Sequence, residues 1–238
     1  MVDTQAVIKA LISANESQKP EIEQAPPPTV TISRDFGSGG DEIAEMVAEK
    51  LGVRIYNKEI LDDIARQKNA HNALMSKLHE TVNTASDAWL YAMVFGKNVT
   101  RDDYQKALVT AIRAIYRSGG VIMGRGAHVI LEGRKILRVR ITGSVDACAK
   151  RVAQREGVDL SEAKKKVRER RSVRGKYLWS IFSSRINDPT KFDLTINTDQ
   201  FTNYAQAADL IVRALEVIGI IPETEEEEEP AKKDKAAK

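Results

Sequence analysis

Between residues 29 and 219 the apolar positions switch between two periods. Short β-branched runs alternate with longer stretches in which apolar residues recur every three or four positions. Residues 29–33 form the first such run. After it, Ile43, Val47 and Leu51, with Ala44 and Ala48 beside them, predict a helix with one buried face, stopped by Gly52. A short strand over 53–56 and a helix opened by Asn57 as its cap follow. Leu74, Leu78, Val82, Ala85, Trp89, Ala92 and Met93 predict one or two helices within 69–95. The next helix, over 102–117, buries Tyr104, Leu108, Ala111, Ile112 and Ile115, and Gly119-Gly120 ends it. A buried strand is expected at 121–123. A second strand at 135–142 alternates Ile136, Val139 and Ile141 with basic residues. A helix capped by Ser144 turns Val145, Cys148, Ala149 and Val152 inward. The last strand is at 192–197, and the last helix, over 201–219, packs Tyr204, Ala208, Ile211, Val212, Leu215 and Ile218. Strands alternating with helices predict an α/β domain around a parallel sheet of about five strands.

The two ends read differently. Val2, Ala6, Val7, Ala10 and Leu11 mark a short amphipathic helix, and residues 19–28, ending in three prolines, read as an extended linker. Glu225 to Glu229 and the lysine-rich stretch after them hold no apolar group to bury and read as disordered. The expected organisation is a helix and linker over 1–28, a core domain over 29–221 and a charged tail over 222–238.

The 238 residues, 42% hydrophobic and 30% charged, suffice for one sizeable core. A formal charge of +3 is too small to imply a nucleic-acid partner by itself. No apolar run is long enough for a bilayer, and the start lacks a basic segment followed by an apolar block, so a cytoplasmic chain is expected. The single cysteine, Cys148, fits a reducing compartment and reads as a buried thiol rather than a nucleophile. His71, His79 and His128 show no metal-ligand spacing.

Candidate chemistry is concentrated after the first strand, in Ser33-Arg34-Asp35-Phe36-Gly37-Ser38-Gly39-Gly40-Asp41-Glu42. A strand, a turn of glycines and a helix start in that order cradle an anion, because the helix's first N–H groups point outward and glycine lets a ligand approach the backbone. A turn with no ligand is the plain alternative. Set on the common loop G-x-x-x-x-G-K-[ST], Gly40 takes the position of the lysine and Glu42 that of the metal-binding hydroxyl, while Arg34 takes the first glycine's. Gly124-Arg125-Gly126 stands at the end of the 121–123 strand, where open α/β sheets bind ligands. There Arg125 suits bidentate pairing with a phosphate; elsewhere it would be a surface ion pair. Residues 164–176 are strongly basic and allow three readings: a solvated helix face, a nucleic-acid patch, or cations closing over a phosphoryl group.

The glycine loop with Glu42-Ile43-Ala44 resembles the signature of the cytidylate kinase-like family, a divergent branch of the nucleoside monophosphate kinases with the P-loop NTPase fold. Residues 120–130 are similar to that family's second glycine motif and 188–199 to its last strand. The resemblance implies a three-layer P-loop fold with the first strand central, a helical monophosphate-binding insert near 69–95 and a lid at the basic run. It implies ATP and Mg²⁺, and CMP or dCMP as acceptor. Gly37, Ser38, Gly39, Gly40, Asp41 and Glu42 would hold the nucleotide phosphates, Glu42 also the metal. Gly124, Arg125 and Gly126 would hold the acceptor phosphate; Lys58 and Arg66 are further substrate candidates, with solvated helix charges as the favoured reading of both. Arg174 matches a lid arginine, ahead of Arg170, Arg171 and Arg185, and Arg34 is the candidate substitute for the missing lysine. The absent lysine and hydroxyl keep a second expectation open, a nucleotide-sensing or partner-binding pseudokinase using its leading helix or tail. Nucleic-acid binding ranks last.

Overall fold

The computed structural model describes residues 27–63 and 101–223. The leading helix, the acidic and basic tail and the expected insert near 69–95 lie outside the described residues.

Five parallel strands form one sheet in the order β2-β3-β1-β4-β5. The strands are β1 (Thr29–Arg34), β2 (Ile55–Tyr56), β3 (Gly120–Met123), β4 (Leu137–Thr142) and β5 (Leu194–Asn197). The first strand is central, as expected: Ile32 sits opposite Met123 of β3 on one side and Val139 of β4 on the other. Helices cover both faces, so the polar members of the alternating strands, Thr29, Thr31, Ser33 and Arg140, are buried along with the apolar ones. On one face Val30, Ile32, Val121, Met123, Val139 and Ile141 meet α1 (Gly40–Lys50) and α6 (Tyr204–Val217). On the other, Tyr56 and Ile122 meet α2 (Arg101–Ser118), which buries the expected row from Tyr104 to Ile115. Residues 58–63 are helical, and the Asn57 carboxamide oxygen caps them by accepting from the Ile60 N–H at 3.0 Å. A short α3 (Ala127–Ile130) follows β3, and α4 (Val145–Glu156) starts at Ser144, whose side chain accepts from the Ala147 N–H.

The basic run belongs to one long helix, α5 (Leu160–Phe182). Its first half packs Ala163 and Val167 on Cys148, Ala149 and Val152 of α4. Its second half places Ile181 in the core with α2. Twenty-three residues at 1.5 Å each span about 35 Å, so α5 crosses from the α4 side of the sheet to the α2 side, over the carboxyl ends of the strands.

Of the two arginines of β4, Arg140 is buried, because helices and loops cover both faces and Asp35 neutralises it, while Arg138 is partly exposed and pairs with Asp193. One expectation is corrected. Ile218 is exposed, because α6 stops at Val217 and the chain turns away at Gly219. Cys148 is fully buried, and burial pushes its thiol pKa up, as expected for an inert thiol.

His128 of α3 stacks on Phe192 with ring centroids 4.7 Å apart. Burial first, then the positive charges of Arg140, Arg138 and Lys191 outweighing Glu132, lower its pKa from 6.5 to about 4. The unfolded chain takes up a proton below pH 6.5 that the folded one refuses until about pH 4. Stability is therefore expected to fall across that window by on the order of 3 kcal/mol. Urea titrations at pH 7, 5.5 and 4 should show the loss, and His128→Gln should flatten it.

Candidate phosphate-binding site

The loop from Asp35 to Gly39 joins β1 to α1. Gly37 and Gly39 take positive φ, 81° and 74°. A Cβ at Gly37 would press on the Cys148 carbonyl oxygen, and one at Gly39 would overlap the Tyr204 ring, so neither position accepts a side chain. The Ser38 hydroxyl is turned inward and donates to the Asp35 carbonyl at 2.9 Å, which leaves this residue only its backbone to offer a ligand. Helix α1 opens with Ile43 N–H donating to the Gly39 carbonyl at 3.0 Å. The N–H groups of Gly40, Asp41 and Glu42 thus have no carbonyl one turn back, and the Gly39 cap carries no side chain to take them. Such a terminus favours an anion.

Arg34 explains the glycine at position 40. A Cβ there would stand 2.8 Å from the Arg34 Cγ, so the arginine stem occupies the space a lysine would need. From that stem the guanidinium reaches across the loop mouth. Its Nε and Nη2 donate to Asp41 Oδ1 at 2.8 and 2.7 Å, and its Nη1 lies 3.1 Å from where a Cβ on Gly124 would stand. A fixed positive charge therefore sits between the first turn of α1 and the glycines that end β3, although the loop holds no lysine.

Asp35, which the sequence reading left unassigned, leaves β1 on the opposite side from Arg34. Its carboxylate accepts from Arg140 Nη2 at 2.6 Å and the Thr142 hydroxyl at 2.8 Å, and Arg171 Nη2 of α5 lies 3.2 Å away. Arg171 also donates to the Gly143 carbonyl. A charged residue directly after a buried strand was the available signal. The three arginines nearest the loop on α5 are set out along its crossing. Arg170 lies over the Phe36 ring at 5.6 Å, Arg171 is tied to Asp35, and Arg174 donates from Nη1 to the Arg34 carbonyl. Burial, then repulsion from Arg34, lowers the Arg174 pKa to about 10, which leaves it charged at neutral pH. Arg185 instead lies over the Trp179 ring, beyond the C-terminal end of α5. Arg151 of α4 was also missed: it donates to the carbonyls of Gly37 and Thr198, joining the loop to the end of β5.

At the end of β3, Gly124 and Gly126 both have φ 73°, and Arg125 itself is left-handed at φ 51°. A Cβ on Gly126 would overlap the Phe182 ring of α5. Asp62 holds the Arg125 guanidinium through Nη2, and the Tyr177 ring of α5 lies 4.9 Å from it. The Tyr104 hydroxyl bridges Asp62 at 3.3 Å and the Tyr177 hydroxyl at 3.0 Å. Helix α5 is thereby tied to Arg34 through Arg174 and to Arg125 through Tyr177.

Of the remaining candidates, Lys58 is exposed and Arg66 lies outside the described residues. Glu42 is exposed on the first turn of α1. No group of three or more His, Cys, Asp or Glu among the described residues is arranged to hold a metal ion. A divalent cation at Glu42 would thus need phosphate oxygens and water for most of its ligands, which is how Mg²⁺ is usually held. No helix among the described residues is long and apolar enough to cross a membrane.

The family model for the cytidylate kinase-like family matches residues 29–200. A cytidylate kinase of Archaeoglobus fulgidus is 27% identical over 196 residues, covering 79% of this chain and 94% of its own. One from Pyrococcus horikoshii is 25% identical over 177 residues, covering 73% and 81%. The solved structure of an uncharacterized protein from Eubacterium ventriosum aligns with a TM-score of 0.60 at 25% identity, covering 79% of this chain and 98% of its own.

Proposed function

The chain belongs to the cytidylate kinase-like family, and from that premise we propose that it is a nucleoside monophosphate kinase transferring the terminal phosphoryl group of ATP to CMP or dCMP. An acceptor phosphate oxygen bonds to the γ-phosphorus as its bond to the β-phosphate oxygen breaks. Such transfer asks a protein mainly for positioning and charge neutralisation. The N–H groups of Gly40, Asp41 and Glu42 hold the donor phosphates at the start of α1. Gly37, Ser38 and Gly39 shape the loop around them. Arg34 supplies the charge that lysine supplies in the common loop. Arg174 meets the moving phosphoryl, and Arg125, between Gly124 and Gly126, holds the acceptor phosphate. Mg²⁺ would neutralise the donor phosphates, with Glu42 on its protein side. Helix α5 over the strand ends keeps water from competing as acceptor.

The observation that carries this reading is the course of Arg34 through the space left by Gly40, toward both α1 and Gly124. A second reading, a nucleotide-binding protein without turnover, is favoured by one feature. Arg34 and Arg125 are already paired, with Asp41 and Asp62, and a ligand phosphate must displace or share those carboxylates. The test is coupled ADP release with ATP, Mg²⁺ and each nucleoside monophosphate in turn, with Arg125→Ala as control. Turnover on CMP or dCMP that the control loses supports the kinase. Thermal stabilisation by ATP or CMP without turnover supports the second reading.

A further inference from the structure

Behind the loop, on the side of the sheet that Asp35 rather than Arg34 faces, lies a cavity of about 340 Å³. Small-molecule sites begin at about this size. Its floor is the Asp35–Arg140 pair at the ends of β1 and β4. Helix α5 contributes Arg171, and β5 contributes Thr195. The segment between α5 and β5 supplies Asn187, Asp188 and the Phe192 ring.

The charges decide what chemistry fits. Two guanidiniums, Arg140 and Arg171, face two carboxylates, Asp35 and Asp188, so the lining is neutral as a whole and favours neither an anion nor a cation. Both carboxylates are already engaged, Asp35 as described and Asp188 with the Thr190 hydroxyl at 2.6 Å. Polar capacity remains on the outer part of the Arg171 guanidinium, whose side chain is 28% exposed, and on the exposed side chains of Asn187 and Thr195. Phe192 is a rigid apolar wall, because His128 stacks on it. Its neutral imidazole adds no charge there. A flat wall beside a few hydrogen-bonding groups, in a neutral space of this volume, suits an uncharged planar ring carrying polar edges.

We propose that this cavity is a second ligand site, distinct from the phosphate cradle, that takes a neutral nucleobase or nucleoside. The ring stacks on Phe192, and its polar edge meets Arg171, Asn187 and Thr195. Because Arg171 belongs to α5 and is tied to Asp35 beside the loop, an occupant bears on the helix that covers the cradle. The site stands on its own geometry and does not require the kinase reading.

Titration calorimetry of the full chain with cytidine and with adenosine, neither of which carries phosphate, tests the proposal. Three proteins are compared: wild type, Thr195→Trp and Arg34→Ala. Tryptophan suits a strand position, and from its exposed place on β5 it fills the cavity without touching the core. The expected result is that at least one nucleoside binds the wild type and Arg34→Ala alike and binds Thr195→Trp at least tenfold more weakly. Thr195→Trp should keep the wild-type melting temperature and the wild-type response to ATP. Binding that survives Thr195→Trp unchanged, binding lost in Arg34→Ala, or no binding of either nucleoside at millimolar concentration each overturns it. Loss of turnover with this pattern intact would count against the kinase and leave the cavity site standing.

Discussion

Replacing Arg34 by alanine is expected to lower turnover on CMP by about a thousandfold or more, with the fold intact. Cations that meet phosphoryl groups in transfer enzymes contribute on the order of 10³ to 10⁵ in rate. Here Arg34 is the side chain that stands in the lysine's space. Alanine keeps the Cβ that packs over Gly40 and removes the stem and the charged fork beyond it. The lost ion pair with Asp41 matters little to stability, because Asp41 is 59% exposed, and such pairs contribute about 0–1 kcal/mol. Asp41 would then face the phosphates without a counter-charge, so the apparent KM for ATP should rise as kcat falls. Arg34→Lys should recover part of the rate, since lysine restores a point charge but not the fork. Steady-state kinetics with a melting curve on each variant check this. A turnover for Arg34→Ala within a few-fold of wild type would mean that the loop works without this cation.

The second large effect is on stability. Asp35→Ala is expected to cost roughly 3–5 kcal/mol, since removing one partner of a buried ion pair leaves the other charged and unpaired. Arg140 is only 9% exposed on its side chain, and its Nη2 has Asp35 as its partner at 2.6 Å. Arg171 and the Thr142 hydroxyl lose the same acceptor. For a chain of this size that corresponds to a fall in melting temperature of roughly 10 °C. The double change Asp35→Leu with Arg140→Met, which removes both charges, should recover much of the loss. Urea denaturation of the single and double variants measures both. A loss below about 1 kcal/mol for Asp35→Ala would show that water reaches this pair.

These two residues also mark how far the sequence could be read. Strands flanked by glycine and helices with one apolar face were legible because each repeats a simple period. That is why β1, β3, α1, α2 and α6 stand where the pattern puts them. The glycine loop was legible for a different reason: residues of special backbone freedom follow directly on a strand. Arg34 could be named as a candidate from its place beside the loop, but its path through the space at Gly40 is a three-dimensional fact. The burial of Arg140 was not legible, because nothing local in an alternating strand reveals that Asp35, 105 positions away, will neutralise it. The same holds for Asp62 with Arg125, 63 positions apart. Helix α5 hid its role because its buried face shifts along its length: Ala163 and Val167 pack on α4, while Leu178 and Ile181 are buried at the other end. No single stripe survives such a crossing, so the basic run left a solvated face, a nucleic-acid patch and a lid open, and only its position in the chain favoured the lid. With Arg170, Arg171 and Arg174 spent on Phe36, Asp35 and the Arg34 carbonyl, this part of the run faces the loop.

The charge distribution around the cradle gives the kinase reading its particular character. In the common loop a lysine and a hydroxyl serve the donor phosphates from the start of the helix. Here the cation comes from the end of the preceding strand, and the first turn of α1 carries Asp41 and Glu42 instead. On the kinase reading that arrangement would make a divalent cation more necessary, because carboxylates beside the cradle repel bare phosphate.

The central claim is that a loop without lysine transfers a phosphoryl group through Arg34. The most direct measurement is the transfer of label from γ-labelled ATP to CMP by the full chain with Mg²⁺, run beside Arg34→Ala. Labelled CDP formed by the wild type, and reduced about a thousandfold or more by Arg34→Ala, is the predicted result. No labelled CDP or dCDP from the wild type with either acceptor, while ATP still raises its melting temperature, would contradict it and leave a nucleotide-binding protein without transfer.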